Sequence, residues 1–211
     1  MSLLRDSHCH MIVSVTMNAS VPNLRDRKRR AMMLRVQDAA FRAAFRAGYA
    51  GTTVEAVAAA ADVSPSTVYR AFGTKEGIFL WDELELPAME LLEDELAHRS
   101  PIAAAIAVVE AIGALEFHVS DAEMRERLNL VLSEPGLRSS MNDEFRRFEG
   151  ELAAMFAGGG EIDAVEARIV AAATVAAVLA AVEAWGSAKP PVPFAAAAAD
   201  AAASLRSVLN R

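Results

Sequence analysis

Ser64, Pro65, Ser66, Thr67, Tyr69 and Arg70 fall within seven consecutive residues. Hydroxyls donate and accept, so Ser66 and Thr67 suit the hydrogen-bonding edges of nucleic acid bases. The Thr67 methyl, or Pro65, suits a thymine methyl. Arg70 can take a guanine or a phosphate, and Tyr69 offers a hydroxyl to phosphate and a ring to a sugar. Ser64 also has the plainer use of capping a helix, and an arginine such as Arg70 is often only solvated. Thr53 and Lys75 stand at or near helix starts, where free N–H groups make natural phosphate sites. Such contacts fix register without reading sequence. The run Arg25-Asp26-Arg27-Lys28-Arg29-Arg30 has the composition of a basic arm that adds phosphate contacts or enters the minor groove, Arg29 and Arg30 being the candidates. Its alternative is a solvated charge run.

No comparable set serves catalysis. His98 and His118 are isolated, and no nucleophile–base pair, metal set or phosphate loop accompanies them. Cys9 is the only cysteine, which excludes an internal disulfide and fits a reducing cytoplasm. His8-Cys9-His10 is read as incidental, because neighbours in a floppy tail converge poorly on one ion. No cofactor and no metal are expected. An enzyme or carrier holding a hydrophobic ligand is the competing reading.

The elements that must position these residues are helical. Hydrophobic residues make up 54% of the chain, and alanine, the best helix former and a poor strand former, dominates them. The first helix runs from about Arg25 to Arg46, with Ala40, Phe41, Ala44 and Phe45 at the spacing of a buried face, and Gly48 stops it. Thr52 or Thr53 caps a short helix to about Ala60. Asp62-Val63-Ser64 makes a turn, and Pro65 takes the first position of a helix ending at Phe72-Gly73. This order of parts is a helix-turn-helix, a device for placing a helix in the major groove. Thr74 caps a fourth helix to about His98, kinked at Pro87. Further helices are expected from Pro101 to Val119, Asp121 to Ser133, Arg138 to Phe156, Asp163 to Trp185 and Phe194 to Leu209. The expectation is an all-α fold of about nine helices.

Charge divides along the chain. Residues 1–80 carry 11 Lys/Arg against 6 Asp/Glu, and residues 81–211 carry 10 against 22. A basic end of +5 on a remainder of −12 suggests that one end meets a polyanion. Met11–Val15 is too short to span a bilayer and lacks the flanks of a signal peptide. Arg168 and Glu183 bound the charge-free stretch 170–182 too closely for a membrane crossing.

Residues 30–81 resemble the DNA-binding domain of TetR-family transcriptional regulators. The matching positions include Ala39, Ala40, Phe45, Gly48, Tyr49, Thr52, Thr53, Val54, Val57, Ala58, Val63, Ser64, Thr67, Val68, Tyr69, Phe72, Lys75 and Glu76. The chain departs at Val57, at Asp62, where the family often has glycine, and at Ala71, where a polar residue often makes a phosphate contact. Residues 1–22 read as an N-terminal extension, either a disordered tail or an over-extended start before Met11 or Met17. The resemblance implies a helix-turn-helix domain over 23–73 and an effector-binding and dimerisation domain over 74–211. It makes Ser64–Phe72 the recognition helix. It implies a cytoplasmic homodimeric repressor of a palindromic double-stranded DNA operator, released by a small apolar effector. Trp81, Met89, Phe117, His118, Met124, Leu128 and Phe148 are the pocket candidates. The resemblance assigns dimer formation to the last two helices, where small residues allow close approach. Ala173, Ala176, Ala177, Ala180 and Ala181 with Trp185, all on the first of the two, are the dimer candidates.

Overall fold

The computed structural model describes residues 24–209 apart from Glu116. The expectations for the extension over 1–22, including His8-Cys9-His10, lie outside the described residues. Within them the chain forms ten helices and no strand: α1 (Leu24–Gly51), α2 (Val54–Ala60), α3 (Pro65–Phe72), α4 (Lys75–Leu80), α5 (Glu85–Leu96), α6 (Pro101–Ile112), α7 (Asp121–Ser133), α8 (Pro135–Gly158), α9 (Ala164–Ser187) and α10 (Phe194–Leu209).

Side-chain caps set most of the starts. Thr53, Ser64, Thr74, Ser100 and Ser120 each accept a backbone N–H three residues on, and Asp163 forms a full capping box with Glu166. Each cap satisfies a donor that the helix cannot and contributes about 1 kcal/mol. Within α1 the backbone leaves helical geometry at Gly48 (φ 76°, ψ 159°), which a side chain would resist. Asp62 takes φ 57° in the turn before α3; aspartate tolerates this left-handed position.

The expected fourth helix is two helices, so ten stand where nine were expected. Trp81 turns extended (φ −59°, ψ 122°), and Asp82 Oδ1 accepts the Leu84 N–H at 2.8 Å, redirecting the chain. Pro87 then falls in the first turn of α5, where its missing N–H costs nothing. The hinge-like break is therefore at 81–84 and not a kink at Pro87. The next helix ends at Ile112 and not at Val119. Gly113 lies so close to α10 that a Cβ on it would sit 2.8 Å from Ala198 Cβ. Beyond it the chain departs to place Phe117 and His118. Helix α8 begins at Pro135, three residues before the expected start, because proline fits a first helical position.

Three clusters of buried side chains follow. The first joins α1 to α4 with Val131 of α7 and Leu137 of α8; Phe79 meets Phe41 and Tyr49 edge-on at centroid distances of 5.0 and 5.2 Å. The second joins α5, α6, α8 and α9 around Leu92 and Phe156. The third joins α6, α9 and α10 around Trp185 and Phe194. By length and composition α9 is apolar enough to cross a membrane. Here one side of it packs on α8, α10 and α6.

Candidate nucleic-acid interface and the adjoining cavity

Helix α3 is short, and both its ends are fixed. The Ser64 hydroxyl accepts the Thr67 N–H at 3.2 Å and lies 2.9 Å from Ser66 Oγ and 2.8 Å from Thr67 Oγ1. The hydroxyls thus gather at the N-terminus of the helix, the end that favours anions. At the other end Gly73 takes φ 72°. Gly77 of α4 comes so near that a Cβ would lie 2.1 Å from the Phe72 carbonyl oxygen. Val68 is buried in the first core. On the opposite side Ser64, Pro65, Ser66, Tyr69 and Arg70 are exposed, and Thr67 is half-buried. Tyr69 leaves 48% of its surface open, a large aromatic face on a polar helix.

The neighbouring candidates divide. Thr53 is exposed and caps α2, accepting the Ala56 N–H at 3.2 Å. Lys75 has an internal partner: its Nζ donates to the Tyr49 carbonyl at 2.6 Å and lies 4.0 Å from the centre of the Tyr49 ring. The Tyr49 hydroxyl donates to Glu76 Oε1 at 2.5 Å. Burial and this carboxylate hold the phenol protonated well above its ordinary range, and the same hydrogen bond draws the Glu76 carboxyl down. Arg29 is exposed. Arg30 turns back toward the protein, where its Nη2 donates to Glu83 Oε2 at 2.6 Å.

Glu83 begins a chain of polar contacts that joins α1, the break after α4, the α6–α7 connection and α7. Its side chain is only 4% exposed, and its Oε1 receives the backbone N–H of His118 at 2.9 Å and His118 Nδ1 at 2.6 Å. His118 Nε2 lies 3.0 Å from Asp38 Oδ1, so both ring nitrogens face carboxylates. Arg127 Nη2 donates to the same Asp38 oxygen at 2.5 Å and to Glu123 Oε1 at 2.5 Å. Burial pushes the Asp38 carboxyl up, but the hydrogen bonds from His118 and Arg127, with the charge of Arg127, outweigh it and the net shift is downward. Beside this chain the Gln37 amide donates to the carbonyls of Ile78 and Trp81 at 3.1 and 2.7 Å, tying α1 to the break after α4.

A cavity of about 460 Å³ lies under this network, within the range of small-molecule sites. Trp81, Phe117, Met124, Leu128 and Phe148 line it, as does Trp185. Met89 does not; it packs into the second core. His118 is not on the wall either. It sits in the connection between α6 and α7, not on a helix, and is held by Glu83 and Asp38. Phe41 of α1, Ala71 and Phe72 of α3 and Leu80 of α4 also line the cavity. Ala71, where the family often has a polar residue, thus lines the cavity. The sequence reading missed Gln37, Asp38, Glu83 and Arg127. The available signal was a polar pair, Gln37-Asp38, inside the apolar stripe of α1, and Arg127 directly before Leu128.

The dimer candidates fall on different sides of α9. Ala176 and Ala180 are exposed, and Ala173 and Ala177 are half-buried. Ala181 and Trp185 are buried within the chain at 3% and 2% exposure. Trp185 packs edge-on against Phe194, with centroids 5.5 Å apart, and beneath the Arg125 guanidinium. These two residues serve the internal core and present nothing to a partner. Alanine spacing alone did not reveal which side of α9 packs inward.

Residues 37–80 match the family model described as bacterial regulatory proteins, tetR family, and residues 99–210, more than half of the chain, match the MftR C-terminal domain. No curated protein matches the chain. Among solved structures, a Clostridium perfringens protein assigned as a fatty acid metabolism regulator is 18% identical, with 81% of this chain and 95% of that chain covered and a TM-score of 0.50. Thermus thermophilus FadR, a TetR-family transcriptional repressor in complex with lauroyl-CoA, is 18% identical over 82% of this chain and 92% of its own, with a TM-score of 0.48. A TetR-like regulator from Rhodococcus sp. RHA1 is 20% identical over 91% and 100%, with a TM-score of 0.46.

Proposed function

The chain belongs to the TetR family of bacterial regulatory proteins, and we propose that it is a homodimeric repressor that leaves its operator when a small apolar effector fills the cavity beside α3. It is a DNA-binding transcriptional regulator; the effector, the dimer and the individual contacts are our reading. Ser66, Thr67 and Arg70 read base edges, while Tyr69, Thr53, Lys75 and Arg29 hold phosphates. Arg30 stays with Glu83.

The observation that carries the switch is the shared wall of the cavity. Ala71 and Phe72 end the reading helix and also line the ligand space, together with Leu128 and Phe148 of the C-terminal helices. Phe72 meets Trp81 edge-on at 6.2 Å. An occupant therefore presses on the last turn of α3 and on the break at 81–84. For release, the effector must bind the operator-free arrangement more tightly than the operator-bound one, by roughly 1–3 kcal/mol for a typical coupling.

The dimer reading rests on α9. Val165 and Ile169 are 66% and 58% exposed, and with Ala176 and Ala180 they fall within about 60° of one helix face. An open apolar face of that kind marks an interaction surface, and an isologous pairing would repeat α3 at two half-sites.

Two measurements test the proposal. DNA selected from a random pool should converge on a palindrome with half-sites one helical turn, or a multiple, apart; recovery of no consensus overturns the operator reading. Apolar compounds that fill the cavity should then weaken the operator complex in a gel-shift titration. Unchanged operator affinity at a saturated cavity overturns the switch.

A further inference from the structure

The cavity is apolar over most of its wall, yet two of its residues hold buried donors that meet no acceptor among the described residues. Arg127 is 3% exposed; its Nη2 is engaged by Asp38 and Glu123, but Nε and Nη1 are buried without a partner. Trp185 is 2% exposed, and its Nε1 is likewise buried without a partner. Both residues line the same cavity. An indole N–H and a guanidinium can only donate. A buried donor left unmatched costs roughly 1–3 kcal/mol, so residues with such donors in the lining of one cavity define what the occupant must bring.

Resting on the effector reading above, we propose that the ligand of this cavity is an apolar molecule bearing an uncharged oxygen acceptor, of the ester, amide or ketone class, which takes the free N–H groups of Arg127 and Trp185. Charge decides between a carbonyl and a carboxylate. Arg127 already faces two carboxylates, Asp38 at 2.5 Å and Glu123 at 2.5 Å, so this triad carries a net charge of −1. Asp82, Glu83, Glu85 and Glu144 also stand on the cavity wall against one further cation, Arg147, which is itself paired with Glu85, Glu144 and Glu151. A third carboxylate beside Arg127 would meet repulsion from groups already paired with it, and would lose its hydration in an apolar space. A carbonyl accepts the same hydrogen bonds and brings no charge. Pure hydrocarbon leaves both donors unmatched, which is how a polar site rejects an analogue lacking its partner.

The full-length protein reports on this cavity directly, because its only two tryptophans, Trp81 and Trp185, both line it. Titrations followed by tryptophan fluorescence compare three probes of similar length: methyl decanoate, decanoate and undecane. The ester should bind at least about tenfold more tightly than the alkane and than the carboxylate. In Trp185→Phe and in Arg127→Met the ratio of ester to alkane affinity should fall severalfold. If either variant does not fold, the wild-type ratios still decide. Alkane binding within threefold of the ester overturns the proposal while leaving the cavity reading intact. Tightest binding by decanoate overturns the uncharged class, and an ester preference that survives in both variants overturns the assignment to these donors. Binding of none of the three overturns the effector reading together with the proposal.

Discussion

Asp38 of α1 and Arg127 of α7 meet at 2.5 Å across the seam between the DNA-reading helices and the helices that wall the cavity. Arg127 is nearly inaccessible, at 4% side-chain exposure, and Asp38 is 26% exposed. The pair therefore works in a medium where charges attract more strongly than at the surface. The Arg127 guanidinium also lies 4.8 Å from the centre of the Phe41 ring, so one side chain touches the reading head through a carboxylate and through an aromatic face.

Replacing Asp38 with alanine leaves Arg127 buried with one carboxylate in place of two and removes the acceptor facing His118 Nε2. Loss of one partner from a buried pair costs about 3–5 kcal/mol. The retained bond to Glu123 and the partial exposure of Asp38 reduce the expectation to roughly 2–3 kcal/mol. Urea unfolding at neutral pH measures it. A loss below about 0.5 kcal/mol would show that the seam does not depend on this contact.

Asp38, and Glu76 beneath Tyr49, set the acid sensitivity. The Asp38 and Glu76 carboxyls are drawn below their ordinary values of 3.8 and 4.5, so each is more readily ionised in the folded than in the unfolded chain. Their stabilisation is complete above those ordinary values and is lost as pH falls through the lower folded ones. Unfolding followed from pH 6 downward should show stability declining in that acid window. Asp38→Asn should flatten this limb, because one of the proton-binding differences is gone. An acid limb of unchanged slope in Asp38→Asn would remove Asp38 from the account.

Much of this fold was legible because polar caps are local chemistry: Ser64 before Pro65, Thr74 before Lys75 and Asp163 before Glu166 announce their helices within four residues. What stayed hidden depends on contacts distant in sequence. The break at 81–84 rests on Asp82 turning back to Leu84 and on Gln37, more than forty positions earlier, holding the Trp81 carbonyl. Nothing in the residues around Arg127 announces its role, which depends on Asp38 and Phe41 of α1, far earlier in the chain. The inward burial of Ala181 and the outward exposure of Ala180 differ by one residue in an alanine-rich stretch, where periodicity carries almost no contrast.

Arg70 and Lys75 should separate under substitution, although both are proposed DNA contacts. Arg70 is exposed on α3, so Arg70→Ala should keep the unfolding midpoint and weaken operator binding by about 1–3 kcal/mol if it holds a guanine. If it holds a phosphate, the loss should instead be uniform across sequences and reduce the salt slope by about 1. Lys75→Ala should lower both affinity and stability, because it also removes the bond to the Tyr49 carbonyl and the cation over that ring. A Lys75→Ala protein with unchanged thermal stability would contradict the structural half of that role.

Gly77 is a sharper probe of how α3 is held. A methyl there would stand 2.1 Å from the Phe72 carbonyl oxygen, and backbone cannot yield as a flexible side chain can. Gly77→Ala should displace α4 from the end of α3, lower the melting temperature by several degrees and abolish specific DNA binding. Gly136→Ala, at a position with open space around it, is the control and should leave operator binding unchanged. Normal operator affinity in Gly77→Ala would mean that α3 is not positioned by this contact.

The α9 face offers the test of assembly. Ile169 and Ala180 are open to solvent on one side of the helix, while Ala181 turns inward. Glutamate at Ile169 or Ala180 should fit the single chain without strain. In an isologous pairing the same charge enters from both protomers, and like charges buried face to face cost several kcal/mol. Sedimentation of Ile169→Glu and Ala180→Glu at micromolar concentration should therefore show monomers with native helical content. Leu86→Glu, at a 68% exposed position of α5, should stay dimeric. The monomers should also lose operator affinity steeply, because two linked reading helices gain from binding adjacent half-sites and one does not. Dimers persisting in both α9 variants would place the subunit interface on another face.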